Sequence, residues 1–341
     1  MLSFLSDYTE GAHPKLLEHL AARNLVSLPG YGLDEDTDEA KRKICAACGR
    51  DDLQIQFLTG GTQTNLIAIA ALLKSYEGVV SADTGHVNSH EAGAIEYSGH
   101  KVLSLPHTEG KLLAETLKTY MDAFLGDENN EHMVRPGMVY ISQPTEFGTL
   151  YSLAELTALS ETCHAYGLPL YIDGARLGYG LMSPACDMSL RDIVELSDLF
   201  YIGGTKVGAL CGEALIFTKR NMPAHFLAVV KQQGALLAKM RVVSQQFDAL
   251  FTDGLYWNIG REAVALAMEL KAAFVEKGYA LYMDSPTNQQ FFVLTREQID
   301  RLREQVAFGI WEWLDPDRAA VRFVTSWATT REAVDALKAL L

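Results

Sequence analysis

Two stretches of this sequence end alike. Pro169-Leu170-Tyr171-Ile172-Asp173-Gly174-Ala175-Arg176 and Leu199-Phe200-Tyr201-Ile202-Gly203-Gly204-Thr205-Lys206 each begin as a short apolar, β-rich run and close on glycine and charged residues. Such a run is the pattern of a strand buried on both faces. In open α/β sheets, ligands gather at the carboxyl ends of the strands. Asp173 and Lys206 are therefore predicted to reach one rim from two different strands. Pyridoxal phosphate needs this pair of groups: an amine for its Schiff base, and an anion that keeps the pyridine nitrogen protonated and the ring able to accept electrons. The plainer alternative is a solvated lysine and a loop aspartate at two strand ends.

Other residues point the same way. Gly60-Gly61-Thr62 follows the strand-like Gln54–Leu58 and opens a helical pattern. A helix start carries free N–H groups and a positive dipole end, so it suits a phosphate, with the Thr62 hydroxyl as a further donor. A simple glycine turn with Thr62 as helix cap is the alternative. The spacing matches neither the dinucleotide nor the nucleoside-triphosphate fingerprint. His86 follows a strand-like run at 79–83 and is placed at the same rim. There it could stack on a pyridine ring and move protons near neutral pH, or be an ordinary loop histidine. Arg176 lies just past Asp173, and Arg322 lies in the apolar run 321–325. Arginine forks suit carboxylates. An arginine within an apolar strand needs a partner or a water-facing side, so a structural ion pair would also explain Arg322. Cys45 and Cys48 form a close pair without a second one. They read as helix cysteines in a reducing compartment, and no metal site is expected.

These residues need a scaffold. Strand-like runs at 53–58, 79–83, 101–105, 138–142, 168–173, 199–203 and 213–218 alternate with helical stretches, notably 63–75, 111–125 and 152–166. Seven strands with helical crossovers predict an α/β fold whose mostly parallel sheet is covered by helices. A long helical region at 223–251 and another at 258–277 follow. Then come strand 289–294, helix 297–307, strands 308–314 and 320–325 and helix 331–341, a small α+β lobe. The expected organisation is an N-terminal segment 1–35 packing on the site or a partner subunit, a large cofactor-binding domain 36–251 and a small C-terminal domain 252–341. The net charge of −14 argues against nucleic acid and anionic membrane surfaces as partners. The longest apolar run, Leu66–Leu73, is eight residues, too short to span a bilayer. No basic-then-apolar leader is visible, so the cytoplasm is the expected location.

With these segments in view, the chain resembles the low-specificity L-threonine aldolases, in the β-eliminating-lyase group of fold-type I pyridoxal phosphate enzymes. The matching segments are Ser6–Gly11, Gly30–Asp34, Thr59–Asn65, His86 with Glu91–Ala94, Tyr171–Arg176, Gly203–Lys206 and Arg322–Thr325, spread over nearly the whole chain. The resemblance implies pyridoxal phosphate on Lys206, Asp173 at the pyridine nitrogen and His86 stacked on the ring. It implies Gly61, Thr62 and Gln63 at the phosphate, Thr205 and Arg176 beside the cofactor, and Arg176, Arg322 and Ser6 around the substrate carboxylate. The implied reaction is retro-aldol cleavage of L-threonine or L-allo-threonine to glycine and acetaldehyde, with His86 the first candidate for the base at the β-hydroxyl. The implied assembly is a homotetramer, a dimer of dimers whose sites are shared between subunits. Tyr31, Lys231, Lys239 and Arg241 are candidates to reach a neighbour's cofactor. Another pyridoxal phosphate lyase acting by β-elimination, an aminotransferase, or a doubly wound protein without a cofactor remain as alternatives. Two departures stand out: Lys206 is followed by Val207 where relatives carry a polar residue or glycine, and Ser142-Gln143-Pro144-Thr145-Glu146-Phe147-Gly148 lacks the pocket histidine that many relatives carry there.

Overall fold

The computed structural model describes all 341 residues. Its strands are β1 (Leu2–Ser3), β2 (Gln54–Leu58), β3 (Glu77–Ala82), β4 (Val102–Leu105), β5 (Arg135–Ser142), β6 (Leu170–Asp173), β7 (Leu199–Gly203), β8 (Glu213–Phe217), β9 (Ala280–Met283), β10 (Gln289–Thr295), β11 (Val306–Ala307), β12 (Gly309–Trp313) and β13 (Arg318–Val324). The apolar runs of β6, β7 and β8 are buried at every position, as a sheet covered on both sides requires. They sit inside a seven-stranded sheet of order β2-β8-β7-β6-β5-β3-β4. Only β8 runs against its neighbours, so the sheet is mixed but mostly parallel.

Alternate residues of each strand feed two different cores. Phe200 and Ile202 of β7 join Ile44, Leu156, Ile193 and Phe247 on one face. Leu199 and Tyr201 join Ile67, Ile69, Phe226 and Val230 on the other. The chain leaves β3 outward to β4 and returns to β5 on the other side of β3. That reversal opens a crevice at the carboxyl ends of β3 and β5, the place where such sheets take ligands.

The long helical region expected over 223–251 holds two helices, Phe226–Gln232 and Arg241–Leu250. Gly234, at φ +71°, turns the chain between them. The helix Leu255–Glu276 then bridges two cores: Leu255, Ile259 and Ala263 pack under the large sheet, and Leu270 and Phe274 pack in a second lobe. That lobe carries the antiparallel sheet β12-β13-β10-β9, in which β9 is a strand the sequence pattern did not announce. β1 pairs in parallel with β11, and Phe4 is buried among the small-lobe side chains. The N-terminus is thereby tied down, Asp7 pairs with Arg176 just past β6, and Tyr8 lines a cavity with Lys206. No helix is long and apolar enough to cross a membrane.

Candidate active site

Asp173 ends β6, on the same sheet face as Tyr140, Tyr171 and Tyr201. A tyrosine hydroxyl buried in such a face needs a partner. Tyr201 donates to Asp173 Oδ1 at 2.6 Å, and Tyr140 donates to Oδ2 at 2.6 Å. The Ala175 N–H adds a bond to Oδ1 at 3.0 Å, and Asn65 Nδ2 adds one to Oδ2 at 3.1 Å. Burial alone would raise the pKa of this carboxyl. The charge of His86 and the tyrosine hydrogen bonds more than offset burial and hold it below the usual aspartate range. Asp173 is thus a buried, ionised group at ordinary pH. Sequence reasoning missed Tyr140, Tyr201 and Asn65. The available signal was tyrosines within otherwise apolar strands, two of them on the parity that faces Asp173.

His86 follows β3 and begins the short helix His86–Ser89. Its Nδ1 lies 2.7 Å from Glu91 Oε1, which also accepts from Asn65 at 2.7 Å. Burial opposes protonation of the ring, but the Glu91 hydrogen bond and the charge of Asp173 raise its pKa overall. Lys206 follows β7. Burial first, and the charge of Arg176 second, lower its amine pKa, which favours the neutral, nucleophilic form. Thr205, beside it, donates its hydroxyl to Glu213 Oε1 at 2.8 Å, while Gly204 N–H holds Oε2 at 3.1 Å. Burial pushes the Glu213 carboxyl up to about 8.

The helix Gly61–Leu72 points its start at the same space. Thr64 N–H makes the first helical bond, to Gly60. The N–H groups of Gly61, Thr62 and Gln63 precede it and have no acceptor. Gly61 passes so close to β7 that a Cβ there would lie 3.1 Å from the Tyr201 hydroxyl oxygen. The result is a cavity of about 200 Å³ whose wall includes Gly60, Gly61, Thr62, Asp173, Thr205 and Lys206. These residues fit pyridoxal phosphate: free N–H groups for a phosphate, an ionised carboxylate for a pyridine nitrogen, an imidazole at the rim and an amine of lowered pKa.

A second cavity adjoins the first and adds Tyr8, His90, Gln289, Ile310, Trp311 and Arg322. Arg322 lies on β13. It donates to Gln289 Oε1 at 3.0 Å, its guanidinium sits 5.5 Å from the Trp311 ring, and its Nε is buried without a partner. Its protein partners are neutral, and burial lowers its pKa. A cation so placed is set to receive an anion from a ligand.

Arg176 has a partner within the protein that its sequence position did not show. Its Nε and a terminal nitrogen bind the two oxygens of Asp7 at 2.7 and 3.0 Å. Asn288 donates to the same carboxylate at 3.0 Å. Burial would raise the Asp7 pKa, and Arg176 with Lys206 more than reverses that. Arg176 lines both cavities; Asp7 takes its Nε and one terminal nitrogen, and the other terminal nitrogen has no protein partner. Ser6 Oγ is buried without a partner and lines neither cavity. The Gln63 side-chain oxygen turns back to accept from the Thr59 N–H at 3.2 Å and hydroxyl at 2.7 Å, and its backbone N–H remains for a ligand. Tyr31, Lys231, Lys239 and Arg241 lie outside both cavities. Lys231 Nζ instead sits 4.9 Å from the Tyr31 ring, and Arg241 binds the Val26 carbonyl at 2.6 Å.

Residues 3–329 match the beta-eliminating lyase family. The chain belongs to that family. This lyase is 32% identical to a low specificity L-threonine aldolase of Pseudomonas aeruginosa, over 97% of this chain and 94% of that protein. It is 29% identical to the same kind of enzyme from a Pseudomonas species, over 98% of this chain and 96% of that one. Among solved structures, a threonine aldolase of Leishmania major superposes with a TM-score of 0.95 at 39% identity, covering 100% of this chain and 99% of that one. A histidinol-phosphate aminotransferase of Clostridium acetobutylicum shares the fold at a TM-score of 0.74 and 13% identity, covering 100% and 98% of the two chains. The beta-eliminating lyase described here has the α/β architecture of fold-type I enzymes.

Proposed function

We propose that this beta-eliminating lyase cleaves the Cα–Cβ bond of a β-hydroxy-α-amino acid, L-threonine or L-allo-threonine, to glycine and acetaldehyde, with pyridoxal phosphate as its cofactor. The observation that carries the reading is the shared wall of the two cavities: Lys206 and His86 face both the space beside Asp173 and the space beside Arg322. The threonine aldolases of Pseudomonas aeruginosa and Leishmania major support it.

Pyridoxal phosphate, when bound, supplies the electron sink that lets a carbon–carbon bond beside an amine break. The protein supplies the rest. Lys206 offers the amine that holds the cofactor, and Asp173 keeps a proton on the pyridine nitrogen. The N–H groups of Gly61, Thr62 and Gln63 take the phosphate. His86, at the cavity wall, would cover the ring. Arg322 grips the substrate carboxylate and so sets the Cα–Cβ bond at the angle that cleavage needs.

The proposed working form is a homotetramer, a dimer of dimers. Arg176 is paired with Asp7 and His86 with Glu91. Tyr31, Lys231, Lys239 and Arg241 are the groups proposed to serve a neighbouring subunit's site. Residues 1–35, 36–251 and 252–341 act as rim segment, cofactor domain and small domain in this reading. Five free cysteines are in keeping with the cytoplasm. The test is spectroscopic: protein supplied with pyridoxal phosphate should gain a visible band, and glycine should shift it. Protein that takes up no cofactor, or whose band ignores glycine, would refute the proposal.

A further inference from the structure

Four side chains line both cavities: His86, Glu146, Arg176 and Lys206. A substrate held by Arg322 and bonded near Lys206 must place its reacting carbons at that junction. Arg176 is a guanidinium paired with Asp7 and has no site to accept a proton. Lys206 holds the cofactor. His86 is biased towards its cationic form by Glu91 and Asp173, and a cationic ring has no lone pair with which to take a proton.

Glu146 is the remaining group. It follows β5 at the open crevice. Ser142, the last residue of that strand, donates its hydroxyl to Glu146 Oε1 at 2.7 Å. The His86 N–H donates to the same oxygen at 3.0 Å. Two donors from two strand ends thus fix one oxygen, and Oε2 is left without a protein partner at the cavity wall. Burial raises the carboxyl's pKa, which makes the carboxylate a stronger base than an exposed glutamate.

We propose that Glu146 is the base that takes the β-hydroxyl proton of the substrate. The inference rests on the retro-aldol function proposed for this site. As Glu146 Oε2 takes the proton, the C–O bond becomes the aldehyde C=O and the Cα–Cβ bond breaks. With the bound cofactor supplying the electron sink, Lys206 would take a proton from the ammonium group of the incoming substrate and deliver it to complete the glycine Cα–H. Glu146 returns its proton to water and the departing glycine amine takes one up from water, so the reaction is balanced without an added oxidant or reductant.

The test uses the cofactor-loaded enzyme. Glu146→Gln keeps an oxygen for Ser142 and for the His86 N–H but cannot take a proton. The turnover number for L-threonine is expected to fall about 100- to 10,000-fold, the usual contribution of a general base. Cofactor absorbance and glycine affinity should stay at wild-type values. Exchange of the glycine α-proton in deuterated water should persist, because Lys206 alone performs it. Undiminished cleavage by Glu146→Gln would overturn the assignment. Joint loss of cleavage and exchange would also overturn it, making Glu146 a support for the site. Glu146→Asp, which draws the acid back by one methylene, is expected to cleave more slowly than wild type and faster than Glu146→Gln. A wild-type rate from the Asp variant would count against the base. Wild-type enzyme that exchanges the glycine proton but makes no aldehyde would overturn the retro-aldol function, and Glu146 with it.

Discussion

Replacing Arg322 by lysine separates substrate holding from folding. In the free protein one terminal nitrogen of Arg322 is bound to Gln289, and Nε is buried without a partner. Nε and the second terminal nitrogen are available to a carboxylate as a two-pronged donor. Each charge-assisted bond of this kind contributes about 1.5–3 kcal/mol. Lysine keeps a charge but offers no planar fork, so one bond is lost and the carboxylate pivots. The summed loss in kcat/KM is expected to be about 2–4 kcal/mol, or roughly 30- to 900-fold. Both constants should move, because a pivoting carboxylate also tilts the Cα–Cβ bond. Stability should not fall. Burial already lowers the pKa of Arg322, so its unpaired charge opposes folding. The assay is steady-state kinetics at saturating cofactor beside a thermal melt. Normal kcat/KM with a depressed melting temperature would make Arg322 a structural residue and refute the reasoning.

The remaining predictions concern the cofactor residues and the rim. Lys206→Ala should abolish the visible band and leave no cofactor fixed to the chain after borohydride reduction; a borohydride-fixed label on the variant would place the reactive amine elsewhere. Asp7→Asn should destabilise the fold by about 3–5 kcal/mol, because it leaves the buried Arg176 half-paired and sets two amides against each other at Asn288; a urea midpoint equal to wild type would contradict this. Asp173→Asn should retain cofactor but lose most activity, since an amide does not hold a proton on the pyridine nitrogen, and unchanged turnover would refute the role. The folded-state pKa values of Asp7 and Asp173 both lie below the unfolded value. Their stabilisation is therefore present above that value and lost as pH falls through the folded ones. Below about pH 4 the urea midpoint should drop, and Asp7→Asn should blunt that drop; an equal drop in the variant would contradict the account.

The central sheet was legible because its strands are short apolar runs between turn residues, and Asp173 and Lys206 were legible because each closes such a run. The strand β9 was not: Ala280–Met283 gains its strand character from pairing with β10, a distant contact. The break at Gly234 is not marked by a change of pattern, because residues on both sides keep helical periodicity. The engagement of Arg176 could not be read locally. Asp7 reaches it from the other end of the chain, positioned by the pairing of Leu2–Ser3 with Val306–Ala307. The tyrosines holding Asp173 read as core residues until the register set their hydroxyls against it. Glu146 lay in a segment noted for lacking a histidine, and only its bonds to Ser142 and His86 reveal where its carboxylate sits.

The most direct measurement is the product balance from L-threonine with the cofactor-loaded enzyme. Glycine, acetaldehyde, ammonia and 2-oxobutanoate are quantified in one reaction without any added keto acid. The account predicts glycine and acetaldehyde in equal amounts, with neither ammonia nor keto acid formed. Ammonia and 2-oxobutanoate in place of glycine and acetaldehyde would mean β-elimination and would contradict it.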